Sequence, residues 1–259
     1  MKKLFCLLFM FVLSAISVFA RDLRFVQIAD VRYSEGNNKE VLTKIINDVN
    51  NQKDIDFIVF TGDNLEHSSQ AILEDFVQQI KKFKKPVYVV IGDKDVNKHK
   101  GLSKKEFMTY LKKKLPNYKK TDTNYTFEKG GMLFFVADGA KDVLPSTTGY
   151  YKADVIEWLD ATLDLYPKKN VIIFQHFPIV PPENKENYIT FKGDSYIEML
   201  KKHQNVKAVI AGHFGVNKEE TVNGIIHIST APAPYYRIID VFDTTSNNPQ
   251  IWAQVKEIQ

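Results

Sequence analysis

Five short apolar runs along the chain are each followed at once by polar or charged residues. Each run is short and almost continuously apolar, which is typical of a strand buried on both faces of a parallel sheet. The runs cover residues 23–29, 56–61, 86–91, 171–174 and 206–211. The pattern therefore predicts five parallel strands with polar residues at their carboxyl ends.

Helical spacing of apolar residues fills much of the chain between these strands. It predicts helices over residues 38–53, 68–83, 103–115, 152–165 and 194–203. Ser103 and Glu106 have the spacing of a capping box at the start of the third helix. Strands that alternate with helices indicate a parallel sheet covered by helices.

The second half of the chain is predicted to be richer in strands. Lys129, Gly130 and Gly131 form the turn of a predicted hairpin between residues 125–128 and 132–137. Further strands, which are expected to pair in an antiparallel manner, are predicted over residues 224–229, 236–242 and 251–258. The chain has no internal repeat and no linker-like segment, so we expect one domain over residues 21–259.

The first twenty residues have the pattern of a secretory signal peptide. Lys2 and Lys3 precede an uncharged apolar stretch that ends at Ala20, before the charged pair Arg21 and Asp22. We expect cleavage after Ala20, a secreted or periplasmic protein, and no stable membrane span afterwards. The alternative is an uncleaved anchor, since about 17 apolar residues approach the length that spans a bilayer.

Composition removes several other function classes. The single cysteine, Cys6, lies inside the leader, so the mature chain has neither a disulfide nor a thiolate site. The net charge is only +4. Lysine runs at residues 81–85 and 112–114 are interpreted as solvated helix faces, because they contain no arginine, and no nucleic-acid partner is expected.

Acidic and histidine residues stand directly after the predicted strands. They are Asp30, Asp63, Asp93, His176 and His213. Ligands of open α/β sheets bind at the carboxyl ends of the strands. Carboxylate oxygens and imidazole nitrogens together suit zinc, manganese or iron, so these residues predict a divalent metal site.

The same clusters resemble the motifs of the calcineurin-like metallophosphoesterases, including their purple-acid-phosphatase-like branch. The family pattern is Asp-x-His, Gly-Asp-x-x-(Asp/Glu/Tyr), Gly-Asn-His-(Asp/Glu), a histidine near a proline, and Gly-His-x-His. The corresponding segments here are DVR at residues 30–32, GDNLE at 62–66, GDKD at 92–95, HFP at 176–178 and GHFG at 212–215. The resemblance implies a four-layer α/β/β/α sandwich and hydrolysis of phosphate esters through a metal-activated water.

The resemblance implies two metal positions, and this chain has the complete set of ligand residues for one of them. The second ion would be held by Asp63, Asp93, His176 and His213, all of which can act as ligands. The first ion would be held by Asp30 and Asp63 together with two histidines that are absent here. Their positions are Arg32 and Gly215. We therefore expect one ion rather than two.

Arg32 and Lys94 are the expected catalytic residues of such a reduced site. Arginine stays protonated in proteins and cannot ligate a metal, so Arg32 is interpreted as a substitute for the first ion that pairs with Asp30 and binds phosphate. The alternative is that Arg32 points to solvent. Lys94 occupies the position of the family's catalytic histidine, where it can stabilise the leaving group by its charge but is a poor general acid.

Glu66 has two interpretations. A glutamate here could complete an all-oxygen set with Asp30 and Asp63, as a tyrosine at this position does in the purple-acid-phosphatase branch. We favour the second interpretation, a carboxylate that orients His176 or His213 by hydrogen bonding.

Three further residues complete the expected site. Asp95 is expected to support the metal ligands from behind, and Asn64 and His67 are expected to contact substrate. Two functions remain open: an exported phosphoesterase acting on a small phosphate ester with a single-metal site, or an inactive homologue that serves as a binding protein with a protein partner.

Overall fold

The apolar runs form the inner layers of the protein, because strands buried on both faces need a second sheet or a helix on each side. The computed structural model describes residues 21–116 and 118–259. The predicted signal peptide and Cys6 lie outside these residues. Within the described part of the chain, no helix is both long enough and apolar enough to cross a membrane.

The first sheet has five strands and contains both ends of the described chain. Its members are β1 (Arg21–Ile28), β2 (Phe57–Thr61), β3 (Val87–Val90), β10 (Tyr235–Phe242) and β11 (Gln250–Glu257). The strand order is β11-β10-β1-β2-β3. β1, β2 and β3 are parallel, as predicted, whereas β10 runs antiparallel to β1.

The second sheet has six strands. Its members are β4 (Tyr125–Lys129), β5 (Met132–Ala137), β6 (Val171–Gln175), β7 (Val206–Ala211), β8 (Lys218–Val222) and β9 (Ile225–Ser229). Their order is β4-β5-β6-β7-β9-β8. β5, β6, β7 and β9 are parallel, and the two edge strands are antiparallel to their neighbours.

In the part of the chain that the structure describes, five α-helices flank the two sheets. They are α1 (Lys39–Asn51), α2 (Gln70–Ile80), α3 (Lys104–Lys114), α4 (Ala153–Leu165) and α5 (Gly193–Leu200). The predicted capping box of Ser103 and Glu106 is present at the start of α3. The predicted four-layer sandwich, with two sheets between helices, is confirmed.

The strand-rich second half differs from its prediction in two respects. β8 was not predicted, because its sequence KEETV has no apolar alternation and its residues are largely exposed at a sheet edge. β7 and β9 are parallel rather than antiparallel, because β8 lies between them in the chain and reverses its direction. β10 and β11 then join the first sheet, so the last strands are divided between both layers.

Phenylalanine side chains fill the space between the two sheets. Phe57 of β2 contacts Phe25 of β1 at a ring-centroid distance of 4.7 Å and Phe134 of β5 at 5.2 Å. Phe25 also contacts Phe174 of β6 at 5.6 Å. These rings are almost completely inaccessible to solvent. The cluster joins both sheets and fixes how closely they approach.

Replacing Phe57 with alanine should lower the free energy of unfolding by about 3–5 kcal/mol, because a fully buried ring leaves a cavity between the sheets. Phe191→Ala is the matched control, since that ring is 52% exposed, and it should change stability by less than about 1 kcal/mol. Urea unfolding followed by circular dichroism measures both values. Equal losses in the two variants would contradict this account of the core.

Candidate metal centre

The carboxyl ends of five strands from both sheets meet at one edge of the sandwich. Asp30, Asp63 and Asp93 follow β1, β2 and β3, while His176 and His213 follow β6 and β7. The structure therefore brings together all five residues that the sequence predicted as metal ligands. Two groups of them place their ligand atoms within 4.8 Å of one another: Asp93, His176 and His213, and Asp30, Asp63 and His176.

The backbone is strained where it presents these ligands. Asp30, Asp63 and His213 have φ angles of 49°, 48° and 73°, which are uncommon for residues other than glycine. Gly62 has a φ of 90°, and a Cβ atom there would lie 2.4 Å from Nδ1 of His176. Only glycine allows this approach of β2 to the histidine ring.

The ligand atoms of the first group are spaced as the ligands of one ion. Nε2 of His176 lies 3.3 Å from Oδ1 of Asp93, and it also lies 3.4 Å from Oδ1 of Asp63, a member of the second group. Nδ1 of His213 lies 3.4 Å from Oδ1 of Asp93 and 3.1 Å from Nε2 of His176. Ligand atoms each about 2.1 Å from a tetrahedral ion are about 3.4 Å apart.

Backbone carbonyls fix the orientation of both histidines. Nδ1 of His176 lies 2.9 Å from the carbonyl oxygen of Thr61, and Nε2 of His213 lies 2.8 Å from that of Thr147. Because a carbonyl oxygen only accepts, we assign the ring hydrogen to each of these nitrogens. The other nitrogen of each ring then directs its lone pair towards the carboxylates, as a metal ligand requires.

Two buried carboxylate oxygens in the cluster accept no hydrogen bond from the described residues. They are Oδ1 of Asp30 and Oδ1 of Asp93. Buried carboxylate oxygens without partners are costly, and a cation satisfies them. The donor set, the spacing and these oxygens fit a divalent metal ion.

Burial and charge shift the pKa values of the cluster. Burial lowers the pKa of His176, but attraction to Asp63 and neighbouring carboxylates outweighs it and raises that pKa to about 10. Burial raises the pKa of Asp30. Burial also acts to raise the pKa of Asp93, but the neighbouring imidazole rings of His176 and His213 outweigh it, and the pKa falls. Without a metal, a proton on His176 therefore supplies positive charge to the carboxylates.

Arg32 lies beside the second group of ligand atoms. Its Nη2 is 3.6 Å from Oδ1 of Asp30, and its Nε is 3.8 Å from Oδ2 of Asp63. Nε is buried and donates no hydrogen bond to the described residues. The guanidinium thus faces the two carboxylates that the resemblance assigns to the first ion, while 40% of the side chain stays exposed.

Lys94 and Asp95 lie in the same loop but differ in their contacts. The backbone N–H of Lys94 donates to Oδ1 of Asp63 at 3.0 Å, and its side chain is partly exposed. Asp95 is fully buried and accepts from the backbone N–H groups of Gly92 and Leu65, each at 2.8 Å. It therefore joins the loops that carry Asp63 and Asp93.

The expected substrate contacts are placed differently from each other. Asn64 is fully buried, and its amide nitrogen donates to the carbonyl oxygen of Val90 and to Oδ2 of Asp95, both at 2.8 Å. These contacts favour a structural role for Asn64. His67 is exposed. Glu66 is also exposed and belongs to neither group of ligand atoms, and the histidines are oriented by carbonyls in its place.

A buried polar chain below the site was missed by sequence reasoning. Gln27 of β1 donates to Oγ1 of Thr61 at 2.9 Å and to the carbonyl oxygen of Ala211 at 3.0 Å. Its own Oε1 accepts from Thr230, which accepts in turn from the guanidinium of Arg237. These bonds join β2 and β7 just before they deliver Asp63 and His213. The available signal was a glutamine inside an apolar strand.

Comparison with known proteins agrees with this geometry. A family model described as calcineurin-like phosphoesterase matches residues 23–217. A probable cyclic nucleotide phosphodiesterase of Fibrobacter succinogenes is 27% identical over 199 residues, which are 74% of this chain and 67% of that protein. A manganese-dependent ADP-ribose/CDP-alcohol diphosphatase of Danio rerio is 29% identical over 80 residues, 30% of this chain and only 25% of the relative's length.

A solved structure shares the fold over almost its entire length. The dimetal phosphatase from Danio rerio superposes with a TM-score of 0.70 at 16% identity, covering 90% of this chain and 99% of that one. At this identity the match describes the fold alone. The family model covers most of the chain and includes all the strand ends that form the metal centre, and the chain belongs to the calcineurin-like phosphoesterases.

Proposed function

We propose that this protein hydrolyses phosphate esters with one divalent ion, held by Asp63, Asp93, His176 and His213, and with Arg32 in place of a second ion. The observation that carries the proposal is the position of the Arg32 guanidinium. It lies within 4 Å of Asp30 and Asp63, the remaining carboxylates of the lost position. The position of the second ion thus retains its ligands at suitable distances. At the position of the first ion, the Arg32 guanidinium supplies the positive charge that a metal would otherwise supply.

Charge argues against a second ion beside Arg32. A divalent ion 4 Å from a guanidinium is repelled by about 8 kcal/mol at an effective dielectric constant of about 20. Arginine cannot relieve this repulsion by losing its proton. Gly215, at the other lost position, has no side-chain ligand atom to offer.

Each residue of the site has a defined task in this proposal. A bound divalent ion supplies Lewis-acid stabilisation of charge on the phosphate and lowers the pKa of water. Arg32 binds the phosphate oxygens through the N–H groups on the exposed part of its side chain. Asp30 and Asp63 hold the guanidinium in place. Lys94 stabilises negative charge on the leaving group.

The relatives suggest which substrates to assay first. The two curated relatives are described as a probable cyclic nucleotide phosphodiesterase and a manganese-dependent ADP-ribose/CDP-alcohol diphosphatase. Nucleotide diesters and diphosphates are therefore the first substrates to test on this chain. Export of the mature protein after cleavage at Ala20 remains part of the proposal.

Arg32→His should raise the bound metal from about one to about two equivalents per chain, because it removes a fixed charge and adds a ligand. Arg32→Lys should leave the value at one, since it keeps the charge. Elemental analysis of purified protein after incubation with manganese or zinc measures both. Asp63→Asn should abolish binding, whereas Asp164→Asn, at a carboxylate that is 77% exposed, should not.

Two results would contradict the single-ion proposal. Two equivalents in the unaltered protein would show that Arg32 does not replace an ion. No bound metal in any variant would indicate a binding protein that has lost the metal centre.

Lys94→His should raise kcat on a phosphodiester by about 100-fold, because imidazole can donate a proton to the leaving group near neutral pH. Lys98→His is the matched control, since Lys98 is exposed in the loop beyond the site, and it should leave kcat unchanged. Steady-state hydrolysis of a nitrophenyl phosphodiester measures both. If neither histidine variant changes kcat, Lys94 does not act on the leaving group.

A further inference from the structure

A concave site lies at the opposite end of the first sheet from the metal centre. It is a cavity of about 390 Å³ at the amino end of β3, next to Pro86 and Val87. Asp93 lies six residues farther along this segment, which is about 20 Å in an extended chain. The cavity is therefore separate from the metal centre, and we name it the lysine groove.

Lysines from two distant segments form the rim of the lysine groove. Lys81, Lys84 and Lys85 come from the end of α2 and the loop after it, and Lys119 and Lys120 come from the segment after α3. None of the residues that line the groove is acidic. Within the described part of the chain, no carboxylate forms an ion pair with Lys81, Lys84, Lys85 or Lys119. The rim therefore carries uncompensated positive charge.

The floor of the groove is apolar. It is formed by Phe83, Tyr88, Leu115, Tyr118 and Phe127. Apolar side chains below a charged rim suit a ligand that carries both negative charge and an apolar group. Lysines that only contact water do not require an apolar surface between them.

Hydrogen bonds hold one wall of the groove in place. The side chain of Asn50, on α1, donates to the carbonyl oxygen of Lys82 and accepts from the backbone N–H of Lys84, each at 2.9 Å. These two bonds tie the loop after α2 to the neighbouring helix. The positions of the lysine backbones on this side are thus set before any ligand binds.

The other wall is held by two tyrosines. The hydroxyl of Tyr118 donates to that of Tyr125 at 3.4 Å, and the Tyr125 hydroxyl donates to the carbonyl oxygen of Val89 at 3.0 Å. The backbone N–H of Val89 also donates to this hydroxyl. The edge of β3 is thereby occupied at its centre, so a ligand binds through side chains and not by adding a strand.

We propose that the lysine groove is a docking site for an acidic peptide segment of a partner protein, with an apolar side chain inserted between the lysines. Charge complementarity and the apolar floor both favour this occupant. Nucleic acid fits less well, because Phe127 is stacked on Tyr88 at 3.6 Å and on Phe134 at 4.9 Å and offers no free face for a base. A flat anionic membrane does not reach a floor recessed between two walls.

In sequence alone, the lysine run at residues 81–85 favours a solvated helix face. The fold changes that interpretation, because it places Lys119 and Lys120 across from the run with apolar residues between them. A run of lysines seen in sequence carries no information about this arrangement.

The test uses the mature chain and a short fluorescein-labelled peptide of aspartate and glutamate around a central leucine and phenylalanine. Fluorescence polarisation measures its affinity for the unaltered protein and for two double variants of equal charge. Lys84→Glu with Lys119→Glu alters both walls, and Lys112→Glu with Lys113→Glu alters exposed positions on α3. The groove variant should bind at least about tenfold more weakly, and the α3 variant should bind almost as well as the unaltered protein.

Three outcomes would overturn the proposal. The first is that the peptide does not bind at low salt. The second is that both double variants lose the same amount of affinity for the peptide. The third is that the unaltered protein binds a peptide without the apolar pair, a single-stranded oligonucleotide or anionic phospholipid vesicles as tightly as it binds the acidic peptide. An unchanged urea-unfolding midpoint in the groove variant, followed by circular dichroism, shows that the variant is folded. The outcome is independent of whether the metal centre is catalytic.

Discussion

Four carboxylates lie buried or nearly buried in and directly behind the metal centre, and the rest of the site depends on how their charge is balanced. Asp30, Asp63 and Asp95 are at most 1% exposed, and Asp93 is only slightly more accessible. Removing such a group from water costs several kcal/mol when it stays ionised. Arg32, a protonated His176 or a bound divalent ion can each supply the balancing charge. The ligand atoms of Asp93, His176 and His213 are spaced for the ion, and the Arg32 guanidinium lies beside Asp30 and Asp63.

This charge balance requires that the ligand side chains be held at fixed positions. Packing between the sheets and hydrogen bonds below the strand ends both contribute to this. The phenylalanine cluster sets the distance between the sheets by packing. The buried chain from Arg237 through Thr230 to Gln27 adds directional hydrogen bonds below the strand ends. Positive φ angles at three ligand residues store strain that the surrounding structure must compensate, as is common where function fixes a backbone.

Much of this arrangement could be predicted from the sequence because its signals are local. Continuous apolar runs predicted the parallel strands, and residues that directly follow such runs must meet at one edge. The exposed strand β8 has no apolar pattern, and the transfer of β10 to the first sheet depends on packing between distant segments, so neither could be predicted. The roles of Glu66 and Asn64 could not be predicted from their closeness to Asp63 in the sequence, because Glu66 is exposed to solvent and Asn64 is buried. The lysine groove arises only when two walls are brought together.

The most direct test of the central claim is a crystal structure of the mature chain grown with manganese, with anomalous diffraction to locate the metal. The account predicts one strong peak bonded to Asp63, Asp93, His176 and His213, with the Arg32 guanidinium beside Asp30. Two peaks, with Arg32 displaced towards solvent, would contradict the single-ion assignment. No peak at saturating manganese would contradict the metal centre itself.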